Sequence, residues 1–165
     1  MHSIFIAMLR VGIAAAMLLG LFGQIVVIPT TATDEVDRFP PYEPFAAPYV
    51  TVAIALVLCV QVALGAVWML LTMVERDAIF TWRAFRRVDT VIGASLVATL
   101  LMAGVSAHLA LADIPSPGDG MDVISALGAA TVATAVGAAF VMLVVVMRGL
   151  LLKATNLQSE LAKVA

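Results

Sequence analysis

Four long apolar runs, at residues 4–28, 49–74, 90–112 and 123–147, constrain this chain more than any other feature. Each exceeds the roughly 20 residues an α-helix needs to cross a bilayer core. Lipid offers no partner to an open backbone, so only helices and closed barrels span it. Barrel strands alternate in polarity, whereas these runs are continuously apolar. The expected fold is therefore all-α, an integral membrane, antiparallel four-helix bundle. Of the chain, 63% is hydrophobic, well above the roughly 45–50% of soluble domains. The runs use most of the 165 residues, so a single four-span domain over residues 1–165 is expected, without a separate soluble domain.

Charge sets the expected topology. The loop after the second run holds Arg76, Arg83, Arg86 and Arg87, and the tail at 148–165 holds Arg148, Lys153 and Lys163. The other two loops carry seven acids and one base, Arg38. By the positive-inside rule the arginine loop and the tail face the cytoplasm, with both termini inside. The pattern fits a multi-pass protein of the bacterial inner membrane. The first run is longer than the apolar core of a signal peptide and lacks its basic leader, so it is read as a retained span.

The loop at 30–48 contains Pro40, Pro41, Pro44 and Pro48, with Phe39, Tyr42, Phe45 and Tyr49 between and after them. Proline removes backbone donors, and the segment is expected to be extended, with its rings in the headgroup zone. Pro and Gly punctuate the second acidic loop at 113–121. Asp122 complements the dipole at the start of the fourth helix. On the basic side, Thr81 suits an N-cap for the third helix, with Phe80 and Phe85 at staple spacing. That helix starts about two turns before the membrane. The fourth continues into an amphipathic cytoplasmic tail at 148–165, with Leu150, Leu157 and Leu161 at helical spacing.

Polar residues inside spans are costly and therefore functional candidates. They are Arg10, Gln24, Gln61, Asp89 and His108. Arg10 either snorkels to the headgroups or pairs with Asp89. Gln61 suits an interhelical hydrogen bond. Gln24 and His108 lie at similar depth, with Asp113 and Asp122 above them, and together would line an outward-facing polar pocket. Small residues recur every four positions at Gly12, Ala16 and Gly20, and again at Ser125, Ala129, Ala133 and Gly137. Such stripes serve close packing in the bundle or a homo-oligomer seam. The lone Cys59 excludes an intramolecular disulfide and reads as a packing residue. No nucleophile–base pair, phosphate loop or histidine cluster is present, so no catalytic residue, metal or cofactor is expected, and no direct contact with nucleic acid.

The segment Phe80-Thr-x-x-x-Phe-Arg-Arg leads straight into a span, and Leu150-Leu-Leu-Lys-Ala-Thr-Asn-Leu-Gln-Ser-Glu-Leu follows the last one. With four spans in this order, the chain resembles the bacterial membrane family called domain of unknown function 2975. The resemblance brings no catalytic residues. Members are often encoded beside a small helix-turn-helix regulator, which implies a regulatory or signalling context.

Two functions follow as expectations. In the first, Arg76, Phe80, Arg83, Arg86, Arg87 and Lys153 form a cytoplasmic surface for a regulatory protein partner or anionic membrane lipids. In the second, Gln24, Gln61 and His108 line the path of a small transport or permeation subunit. A lipid or small-molecule binder with adaptable methionine-rich spans is a further alternative.

Overall fold

The computed structural model describes residues 2–75 and 82–164. Helix α1 (His2–Phe22) passes through a π-helical turn (Gly23–Val27) into α2 (Ile28–Arg38). A 3₁₀ turn (Pro40–Tyr42) leads to α3 (Glu43–Glu75), followed by α4 (Trp82–Leu111) and α5 (Met121–Val164). Four helical stretches are long and apolar enough to cross a membrane: Ile4–Arg38, Pro40–Met73, Phe85–Leu111 and Met121–Leu157. All four outrun the apolar runs that define them.

The segment at 30–48 is helical, not extended. Its prolines sit where helices tolerate them. Pro40 and Pro41 open the 3₁₀ turn, and Pro44 lies in the first turn of α3, where the missing N–H would have no partner anyway. Only Pro48 lies deeper within a helix. Pro29 is accommodated by the π turn before it, in which Ile28 N–H reaches back to the Gly23 carbonyl. Thr30 and Thr31 hydroxyls donate to the carbonyls of Val26 and Val27, both at 2.7 Å, satisfying groups loosened by the bulge. The chain reverses at Phe39, which leaves helical geometry at φ −141° and ψ 88°.

The helices pack as an open row. Among the described residues α1 approaches α3 alone, α3 packs on α4, and α4 on α5, while α3 and α5 do not come close. The exposed surface is 11107 Å², against roughly 7,800 Å² for a compact chain of this mass. Among the described residues only Ile13, Ala66, Phe85, Val91 and Ala130 are buried. Lipid is as apolar as leucine, so helices in it associate through close contact and polar bonds rather than by hiding apolar surface. The unpaired face of α4 forms the floor of a groove of about 520 Å³ between α3 and α5, with Cys59 and Thr99 in its wall.

The four-residue stripes supply only part of the seams: Gly20 and Gln24 of the first and Gly137 of the second. Four residues advance a helix by about 400°, so such a stripe drifts some 40° per step. Gly12, Ala16, Ser125 and Ala129 are exposed. The α1 seam instead steps by three and four: Arg10, Ile13, Met17, Gly20 and Gln24. Arg10 Nη2 donates to Thr72 Oγ1 at 3.4 Å, and the guanidinium Cζ lies 5.9 Å from the Trp68 ring centroid. Gln61 Nε2 donates to the Met17 carbonyl at 3.4 Å, and Gln24 Nε2 to the Ile54 carbonyl at 3.1 Å. On α5 the seam toward α4 runs through Ala130, Thr134 and Gly137. Thr134 and Ser106 hydroxyls lie 3.5 Å apart, and Gly137 lets Thr99 approach closely.

Candidate functional site

Both acidic connections gather at one end of the row. Tyr42, Phe45 and Tyr49 project from the start of α3 and the turn before it. Their rings, with Val36 of α2, Leu109 of α4 and Ala126 of α5, wall an apolar cavity of about 260 Å³. Glu35 and Asp122 join this lining from α2 and α5. The Tyr49 hydroxyl is hydrogen-bonded to His108 Nδ1 at 2.9 Å, tying α3 to α4. His108 is also flanked edge-on by the rings of Phe45 and Tyr49, at 6.2 and 5.7 Å. On its other side a second cavity of about 280 Å³ is lined by Pro48, Leu101, Gly104 and His108.

Local sequence explains the placement. The helical hairpin 28–50 stands the rings of α3 upright beside α2, which an extended loop would not do. Gly120, at φ +79°, turns the second connection, and Asp119 Oδ1 accepts the Met121 N–H at 3.2 Å to cap α5. Asp119 therefore makes the capping bond. Asp122 stands in the first turn, where its charge complements the helix dipole and its side chain reaches the cavity.

The expected polar pocket is not assembled. Gln24 is spent on the α1–α3 seam, His108 on Tyr49, and Asp113 lies outside the cavity lining. Asp122 alone of that set reaches the cavity. A helical 30–48 is needed to bring Glu35 and the tyrosines there; an extended segment leaves those rings in the headgroup zone. Gln61 makes the interhelical bond that suits it.

At the opposite end Asp89 pairs with Arg148, not with Arg10. Arg148 Nη2 donates to Asp89 Oδ2 at 3.2 Å, and Nε approaches Oδ1 at 2.5 Å without hydrogen-bond alignment. Arg86 and Lys153 are exposed, and Arg87 is half-buried. Arg76, Phe80 and Thr81 lie outside the described residues, as does the Arg83 side chain. The staple between Phe80 and Phe85 falls there too. Past Arg148, α5 continues without a break through Val164.

A family model described as "Protein of unknown function (DUF2975)" matches residues 30–164. The stretch includes both segments that carry the resemblance, and it begins after α1. No curated protein and no solved structure matches the chain.

Proposed function

This chain belongs to the DUF2975 family, and we propose that it is a multi-pass inner-membrane protein that works by binding a cytoplasmic partner rather than by catalysis. The helices alternate in direction, with both termini and the arginine loop in the cytoplasm. One observation carries the reading: α5 is a single helix of 44 residues, about 66 Å long, roughly twice what a bilayer core requires. Beyond the apolar span it turns Arg148 to Asp89 while Leu150 and Leu157, at 62% and 61% exposure, share another face one heptad apart. Lys153 lies beside that stripe. An exposed leucine stripe with flanking cations is the surface a partner helix or an anionic membrane surface recognises. Arg86 and Arg87, at the start of α4, add positive charge to the same end.

The transport reading is weaker, because Gln24 and Gln61 are committed to carbonyls of the neighbouring helix.

A photo-crosslinking side chain placed at Leu157 in living cells tests the proposal. It is expected to give one discrete protein adduct, and the same group at lipid-facing Leu143 to give none. Adducts at neither position, or equally at both, would count against a partner surface on the tail.

A further inference from the structure

We propose that the cavity at the acidic end is a binding site for an amphiphilic organic cation, its apolar body inside and its ammonium group at the rim. Three independent features converge on this chemistry. The walls are apolar and aromatic, with Tyr42, Phe45 and Tyr49 on one side and Leu109 on another, and the volume of about 260 Å³, just under the range of drug-sized sites, limits the ligand to a small molecule. Aromatic faces attract cations, and quaternary ammonium groups are the ligands such walls recognise best.

The second feature is the pair of carboxylates in the lining. Asp122 makes no side-chain hydrogen bond or ion pair among the described residues, and Glu35 is matched only by exposed Arg38, at 3.1 Å. An i,i+3 pair of that exposure holds its partner weakly. Asp122 and Glu35 come from different helices and border the same cavity from exposed positions, so a cation at the rim meets charge from both sides.

The third feature is the field of the whole end. Seven acids and one base occupy the two connections, giving 1 − 7 = −6. Anions are repelled and cations are concentrated before contact. The hydrogen bond between Tyr49 and His108 holds one ring of the wall against α4, so the cavity is preorganised.

The site is separate from the tail surface and stands or falls independently of it. The test uses the full chain in nanodiscs, with equilibrium dialysis against benzyltrimethylammonium and empty nanodiscs as blank. Saturable binding is expected, and the neutral isostere neopentylbenzene is expected not to displace it. Two variants locate the binding. Glu35→Gln with Asp122→Asn is expected to weaken it about tenfold. Asp34→Asn with Asp113→Asn removes the same charge outside the lining and is expected to change it less than about twofold. Ala126→Leu, which fills the cavity, is expected to abolish binding. Absence of saturable binding overturns the proposal. So does equal weakening in the two charge-removal variants, which would assign the effect to the diffuse field.

Discussion

Arg148 of α5 and Asp89 of α4, 59 residues apart in sequence, form the ion pair that fastens the two helices where they leave the apolar span. Arg10, the cation expected to pair with Asp89, is engaged instead by Thr72 and the face of Trp68. This end of the row is thus clamped twice, once across α1 and α3 and once across α4 and α5.

The pair is partly exposed, at 35% for Arg148 and 48% for Asp89, so its contribution is modest. Breaking it by Asp89→Asn or Arg148→Gln is expected to cost about 0.5–1 kcal/mol. The exchange Asp89→Arg with Arg148→Asp is expected to recover most of that loss. Thermal unfolding in detergent measures this. An exchange no more stable than the sum of the single changes would mean that the two charges are not coupled.

Gly137 faces a tighter test. A Cβ there would fall 2.5 Å from Thr99 Oγ1 and 3.4 Å from its Cβ. Thr99 cannot swing away freely, because its hydroxyl donates to the Ser95 carbonyl at 2.8 Å. Gly137→Ala is expected to destabilise the α4–α5 contact by about 1–3 kcal/mol. Adding Thr99→Ala is expected to restore most of it, as read from melting temperatures of the single and double variants. No recovery would show that the clash is not the cause.

Gly20 should behave differently. Its added Cβ would meet Gln61 Nε2 at 3.0 Å, the far end of a flexible side chain, and Val57 Cγ1 at an ordinary 3.4 Å. Gly20→Ala is therefore expected to cost less than Gly137→Ala. Gln61→Leu removes the bond to the Met17 carbonyl and is expected to cost about 0.6–2 kcal/mol. A Gly20→Ala variant less stable than Gly137→Ala would contradict this ordering.

The sequence made the spans legible because continuous apolarity has one solution in lipid. The apolar runs fall within the helices but for Ala112, one residue past the end of α4, and Gln61 finds the interhelical bond its chemistry demands. Proline content misled at 30–48: what mattered was position, since Pro40, Pro41 and Pro44 stand at helix starts and a π turn absorbs Pro29. The seams were legible in part. Four-residue spacing picks out Gly20, Gln24 and Gly137, which do lie in them, but also Gly12, Ala16, Ser125 and Ala129, which drift off the contact face because helices in contact follow alternating steps of three and four. The cavity with Glu35, Phe45 and Tyr49 was hidden behind the proline misreading. Charge and depth match Asp89 to Arg10, but the helix order sets α5 beside α4 and brings Arg148 to it.

The central claim, that the cytoplasmic end of this protein holds a partner, is tested most directly by native mass spectrometry of the chain gently extracted from its own membrane. Wild type is compared with a variant carrying Arg83→Gln, Arg86→Gln and Arg87→Gln whose topology is verified. The account predicts a soluble protein bound to wild type at fixed stoichiometry and lost from the variant. A wild-type chain carrying only lipid or further copies of itself, or a partner retained by the variant, would contradict it.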